Sequence, residues 1–489
     1  MSKFISIVFS ALFLLPLDAQ ITVKNDFDLS VPGNIIHKKV MDINKDGLLD
    51  IAFTFTPAQE PQKIYFDIFL NRRGSFIRSG MVDLTGCSVY CLYDFNQDGF
   101  SDLVFIKKEI VYLKITGKKG DGLKIGSSRE ILSVSCLYSY TPAENIVWAD
   151  IAGDFNSDGL PDLLLPHYSG LLFFAGDKSG IFKKTLVLSV PVEAQFSGFQ
   201  QMQFDFMKTP QSFYNIVIPA VETADFNRDR TADLICYGNN QIRIFPVKNH
   251  EISAEPLIFD FILQKDNRPG TMPLLLSVSD LGSPGFLDFI CKKIARSEKF
   301  LETETMLYIC RGSGTSGSFV LQNPLIRESG MLAMFPPVLR DFNSDGRMDI
   351  MDFHIEFSFG KALTAVLAKS STLNLVRYLQ NEQDTFLRAD DTRKIKINMQ
   401  FSMPYILSIV SASGDFNGDS REDLLVGNLE KNLLQIFSGN SNGTFSAQPV
   451  FSYSTVLYLK INIHDFDADG RDDILMMHLQ SGEMKVVIF

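Results

Sequence analysis

The sequence predicts an all-β fold: an eight-bladed β-propeller of four-stranded blades, with the ring closed by an N-terminal strand. Three observations predict it. A nine-residue acidic loop recurs seven times intact and once eroded along the 489 residues. The loops begin at Asp42, Asp94, Asp154, Asp225, Asp280, Asp341, Asp415 and Asp465, at spacings of 52, 60, 71, 55, 61, 74 and 50 residues. A period of this size marks propellers and solenoids. Between the loops lie short apolar runs rich in branched residues, which read as buried strands rather than helices. A seven-bladed ring is the alternative if the eroded Asp280 copy does not form a blade.

Each loop reads as a cation site. In Asp341-Phe-Asn343-Ser-Asp345-Gly346-Arg-Met-Asp349, oxygen-bearing side chains stand at positions 1, 3, 5 and 9, with glycine at 6. Calcium takes about six to eight oxygen ligands, and an EF-hand loop uses the same 1, 3, 5 spacing with a glycine at 6. The same oxygens recur at Asp42, Asn44, Asp46 and Asp50, and at Asp94, Asn96, Asp98 and Asp102. They return at Asp154, Asn156, Asp158 and Asp162, at Asp225, Asn227, Asp229 and Asp233, and at Asp415, Asn417, Asp419 and Asp423. The last copy, Asp465, Asp467, Asp469 and Asp473, has an extra carboxylate at position 3. The copy from Asp280 to Asp288 has Gly282 and Pro284 where ligands belong, and it is expected to hold no ion. One such loop would be an ordinary Asx turn; the repetition carries the signal.

The strands follow a fixed order. Each loop joins two apolar runs; examples of the run after the loop are Leu163-Leu-Leu165, Leu234-Ile-Cys236 and Leu424-Leu-Val426. A second hairpin follows, as in Ile64 to Leu70 leading to Gly74-Ser-Phe76, and Leu171 to Ala175 leading to Gly180-Ile-Phe182. The same order is expected at Met306 to Cys310 with Gly317-Ser-Phe319, and at Leu433 to Phe437 with Gly443-Thr-Phe445. Four antiparallel strands make one blade. Position 2 of the loop is Ile43, Phe95, Phe155, Phe226, Phe342, Phe416 and Phe466. A large apolar residue between two ligands must point away from the ion, into the seam between blades. After the last loop only two strands remain, so the segment Ile21 to Leu29 is expected to complete the final blade and remove both exposed edges.

Ser413 to Gly427 and its sister copies resemble the FG-GAP/VCBS repeat of integrin-α-like propellers. The resemblance covers essentially all of residues 20–489 and implies calcium in the loop joining the first two strands of each blade. It also implies ligation by the position-7 carbonyls of Leu48, Phe100, Leu160, Thr231, Arg347, Arg421 and Arg471. Six to seven calcium ions are expected. Arg230 and Ser420 depart from the pattern by replacing the position-6 glycine, which weakens those two sites through the cost of a non-glycine residue at positive φ.

Composition bounds the function. The formal charge of −11 argues against nucleic-acid binding, where a basic face is needed, and calcium loading would bring it near neutrality. Six cysteines, Cys87, Cys91, Cys136, Cys236, Cys291 and Cys310, do not make a disulfide framework. Cys291 and Cys310 are candidates for one pair across a hairpin. Residues 1–19, with Lys3 before the apolar run Ile5 to Leu17 and Ala19 at the end, read as a signal peptide; a buried N-terminal strand or helix is the other reading. No later stretch is long enough to span a membrane, so a secreted, periplasmic or cell-surface location is expected. The six histidines are scattered singly, and no nucleophile elbow, zinc or phosphate motif appears. Residues 183–215 and 370–402 lengthen their repeats and read as functional or disordered insertions. The expected function is an exported calcium-binding module for adhesion or for binding a protein or glycan partner. The alternative, resting on a resemblance to eight-bladed calcium propellers among lyases, is a polysaccharide-active enzyme.

Overall fold

The structure, a computed structural model, describes residues 21–489 apart from 74, 141–145, 192, 198–212, 239, 264–271, 283–284, 297–302, 330, 333–336, 356–369, 390–392, 399–411, 429–431, 456–459 and 479–480. The segment read as a signal peptide lies outside the described residues.

Eight blades form, each with an acidic loop between its first and second strands. Blade 1 is Gly33–Met41, Asp50–Pro57, Tyr65–Asn71 and Phe76–Asp83 in spatial order, antiparallel throughout. Blades 2 to 7 begin at Val89, Ala152, Ala220, Met272, Val338 and Ala412 and follow the same plan. Blade 8 consists of Lys460–His464, Asp473–His478 and Glu483–Ile488, and Asn25–Ser30 completes it, pairing antiparallel from Asn25 opposite Ile488 to Ser30 opposite Glu483. The ring is closed by joining the two ends of the chain, as its unpaired first strand predicts. The Asp280 copy sits in its own blade, so the ring has eight blades and not seven.

The strand patterns follow from where each lies. Asp50–Pro57 is flanked by strands on both sides and by blades on both faces, so its apolar run is buried almost throughout. The outer strand Phe76–Asp83 is far less covered, with Ile77, Arg78, Met81 and Asp83 exposed. The apolar side chains fall into eight clusters, one per seam. Phe53, Phe466, Leu475 and Met477 fill the seam between blades 8 and 1, and Tyr90, Phe66 and Leu103 the seam between 1 and 2. Loop position 2 enters the seam with the following blade every time: Ile43, Phe155, Phe226, Phe342, Phe416 and Phe466 are all buried there, and Phe95 packs partly buried against its seam. In the eroded blade Leu281 takes that place.

Three expectations are corrected. Gly317–Leu321 is not the fourth strand of blade 5. It crosses to pair in parallel with Leu257–Leu263 of blade 4, and Ile326–Ser329 completes blade 5. Aromatic packing favours the crossing: the Phe319 ring stacks on Phe261 at 5.5 Å and lies 5.8 Å from Phe289. Residues 370–402 are not an insertion in the main, because Ser370–Gln380 is the third strand of blade 6, with Phe386–Arg388 and Arg393–Asn398 as its outer edge. Of residues 183–215, the first belong to the outer strand Phe182–Leu188 of blade 3, and Glu193–Ser197 with Phe213–Val217 forms a separate two-stranded ribbon. The described cysteines are free thiols. Cys291 stands opposite Tyr308 and Cys310 opposite Phe289, so the two are diagonal neighbours; their side chains are in hydrogen-bond contact as free thiols.

Candidate metal centres and the inner channel

The loops hold their oxygens inward through a repeated set of backbone hydrogen bonds. In blade 1, Asp42 accepts the N–H groups of Asp46 at 3.2 Å and Gly47 at 2.9 Å. Asn44 Oδ1 accepts the Asp46 N–H at 3.1 Å, and Asp46 Oδ1 accepts the Leu48 N–H at 3.0 Å. The same bonds recur in the loops at Asp94, Asp154, Asp225, Asp341 and Asp415. The loop at Asp465 keeps the bonds made by its positions 1 and 5. Two positions in each intact loop turn left-handed. Position 6 does so at Gly47 (φ 86°), at Arg230 (72°) and at Ser420 (64°), so the departing copies keep the loop shape with a strained residue. Position 4 does so as well, at Lys45, Gln97, Ser157, Arg228, Ser344, Gly418 and Ala468, which the sequence reading missed. Relieving the strain is expected to show: Arg230→Gly or Ser420→Gly should raise the unfolding free energy by about 0.5–1 kcal/mol, read by urea denaturation, while Gly47→Arg should lower it by a similar amount.

Position 9 has a second role beyond ligation. Asp50, Asp102, Asp162, Asp233, Asp349, Asp423 and Asp473 open the second strands and are completely buried. In blade 1, Asp50 Oδ2 accepts the Ile43 N–H at 3.0 Å and Oδ1 accepts the Asn71 N–H at 2.7 Å, tying the loop to the end of the third strand. Asp473 does the same with Phe466 at 2.8 Å and Phe489 at 2.9 Å. Burial pushes these carboxyls up, to about 7 for Asp50, Asp423 and Asp473 and to about 6 for Asp102, Asp162, Asp233 and Asp349.

The residues fit a divalent cation. Asp465, Asp467 and Asp473 each bring a carboxylate oxygen within 4.8 Å of the others, a separation that one calcium coordination shell spans. Asp467 Oδ1 is buried with no hydrogen-bond partner, as a ligand atom would be. Blade 5 supplies the contrast. Its buried Asp288, in the loop that lacks ligands at positions 3 and 5, is paired with Arg311 at 3.0 Å, and Asp280 is paired with Arg228 at 2.7 Å. Where the loop has lost its oxygens, a guanidinium supplies the positive charge. Among the described residues, the other seven position-9 carboxylates have no ion pair. At position 5 some charge is already met, by Arg72 on Asp46 at 3.0 Å, Arg347 on Asp345 at 2.7 Å, and Arg421 on Asp419. Burial raises Asp469, but Arg471 and Lys24 outweigh it and hold its carboxyl well below the usual range.

A second constellation lies on the inner strands of blades 8, 1 and 2, and no local sequence signal marks it. Lys38 of blade 1 donates to Asn462 Oδ1 of blade 8. Lys460 and His464 share the Asn462 strand. His37 faces blade 2, with Thr54 Oγ1 at 3.5 Å and the Tyr90 ring at 6.1 Å. Val147–Trp148 adds a short parallel strand on the free edge of Val89–Tyr93, which places it in the channel. Trp148, the only tryptophan, packs edge-on to Tyr90 at 4.9 Å, and Lys39 Nζ sits 5.9 Å from its ring centre. Burial and the neighbouring Lys460 lower Lys38 to about 7.

The FG-GAP-like repeat model matches residues 415–476, which span blade 7 and the loop of blade 8. The chain carries an FG-GAP-like repeat. That FG-GAP segment holds two of the seven intact loops, and the remaining five share its hydrogen-bond pattern. No curated protein sequence matches. Among solved structures the chain is similar to an Agrocybe aegerita lectin that recognises non-reducing terminal N-acetylglucosamine, at 13% identity over 76% of this chain and 81% of that one, with a TM-score of 0.39. It is similar to the exotype rhamnogalacturonan lyase YesX, at 13% identity over 95% and 76%, TM-score 0.42. It is also similar to the V. cholerae biofilm matrix protein Bap1, at 13% identity over 96% and 84%, TM-score 0.32. No helix among the described residues is long and apolar enough to cross a membrane.

Proposed function

We propose that this FG-GAP propeller is an exported, calcium-stapled binding or adhesion module whose partner is a protein or a glycan. The observation that carries the metal reading is the contrast at position 9: Asp288 has Arg311, and the seven intact loops have buried carboxylates without a cation. A loop with three carboxylates repels itself until a cation neutralises it, so ion binding and folding are coupled. Carboxylates held in this way are not available as general acids or bases. The ions therefore serve the frame, and the partner site lies elsewhere on the ring.

The binding reading is tested by presenting the calcium-loaded protein to arrays of glycans and of purified extracellular proteins. Saturable binding to one class, lost on calcium removal and restored by calcium, is the expected result. Catalytic turnover of a polysaccharide without stable binding would contradict it. A second reading, a lyase acting on acidic polysaccharide, is favoured by one observation: Lys38, lowered to about 7, stands with His464 and Lys460 on adjoining inner strands. That reading predicts new ultraviolet absorbance from unsaturated products when the protein meets a uronate polymer.

A further inference from the structure

The inner strands bring three lysines, Lys38, Lys39 and Lys460, to one arc of the channel in a protein whose formal charge is −11, beside His464, which burial and Lys38 lower to about 4. Among the described residues no carboxylate forms an ion pair with Lys38, Lys39 or Lys460. The hydrogen-bond acceptor found for Lys38 is the neutral side chain of Asn462. Burying a lysine without a counter-charge is costly, and a second ammonium beside it adds to the cost. In the free protein burial and Lys460 lower Lys38 to about 7, and a bound anion would let it stay charged. The chain's single tryptophan stands in the same arc, half-buried, with its indole N–H given to Asp150 at 3.2 Å and its ring near Lys39. A ring held at its N–H edge, with the Lys39 ammonium near its face, suits a ligand with both a flat, C–H-rich surface and a negative charge.

We propose that the inner strands of blades 8, 1 and 2 bind an acidic saccharide, with its carboxylate or sulfate ester against Lys38, Lys39 and Lys460 and a sugar ring against Trp148. This rests on the binding reading above and names the ligand class. The charged group supplies the missing counter-ion, and the tryptophan distinguishes a saccharide from a bare anion. Association is expected to weaken as salt rises, because much of the attraction is between partly solvated charges.

Trp148 is its own reporter. Its fluorescence is followed in the calcium-loaded protein on titration with trigalacturonate, hyaluronan hexasaccharide and heparin hexasaccharide, with maltohexaose and inorganic sulfate as comparators. At least one acidic oligosaccharide should change the emission saturably and bind tenfold or more tighter than both comparators. Lys460→Gln and Lys39→Gln, at exposed positions that do not threaten the fold, should each weaken that binding threefold or more, and Lys38→Met should weaken it further. Equal binding of maltohexaose would overturn the charge recognition, and equal binding of sulfate would overturn the saccharide assignment. No response to any of the three acidic ligands would overturn the proposal outright. If arrays find a partner that leaves Trp148 emission unchanged, this inference fails and the binding module stands; if arrays and Trp148 are both silent, both fail.

Discussion

Asp473→Ala is expected to destabilise the ring by about 2–6 kcal/mol, because it leaves the buried N–H groups of Phe466 and Phe489 without an acceptor at about 1–3 kcal/mol each. The site amplifies the effect. Asp473 opens the second strand of the blade that Asn25–Ser30 closes, so loosening it weakens the junction between the chain ends. Asp473→Asn keeps one carbonyl acceptor and should lose about half as much. Urea unfolding of both variants in calcium-free buffer isolates this hydrogen-bonding role from ligation. Equal stability of Asp473→Ala and the parent protein would show that the carboxylate matters only to the ion.

The calcium-free protein should become less stable as pH rises, the reverse of the usual behaviour of paired carboxylates. The seven position-9 aspartates are raised from an ordinary value near 3.8 to about 6–7 by burial. Between those values the folded protein holds more protons than the unfolded chain, so the free energy of unfolding falls with pH across that window. The contribution is fully present below about pH 4 and lost as pH passes through 6 to 7. Asp26, Asp83, Asp177 and Asp469, held below the usual range, are ionised in both states above about pH 5 and do not enter this window. The lowered His37, His464 and Lys38 act in the opposite sense, but they are three against seven. With calcium bound the position-9 groups must be ionised, and the trend should invert: acid should release the ions and lower stability. Thermal melting of protein dialysed free of calcium, at pH 5.5 and pH 8, should give the higher midpoint at pH 5.5, and the same pair in millimolar calcium should give the higher midpoint at pH 8. Parallel trends in the two buffers would contradict the account.

The repeat made the ring legible because its rules are local. Asp, Asn and Asp at alternating positions mark a loop wherever they fall, and the phenylalanine between them marks a seam. Even ring closure could be read, since the last loop has too few strands after it and Ile21 to Leu29 has none to join before the first. What was not legible depends on contacts between distant parts of the chain. Nothing around Gly317 says that its strand will leave blade 5 for Phe261 of blade 4, and the Arg311 guanidinium that answers Asp288 follows a different strand. Lys38 and Asn462 meet across the closure of the ring, 424 residues apart. The left-handed position 4 escaped for another reason: Lys45, Gln97 and Arg228 are not residues that advertise positive φ, and the loop's hydrogen bonds impose it on them. The period was also misread where long strands imitate insertions, as at Ser370–Gln380.

Calcium stoichiometry on the purified chain, measured with thermal melting before and after chelation, tests the central claim most directly. Six or seven ions per chain, none of them in the Asp280 loop, and a large fall in melting temperature on chelation are the predicted result. One ion or none, with melting unchanged by chelation, would leave the seven loops as self-satisfied Asx turns and contradict the account.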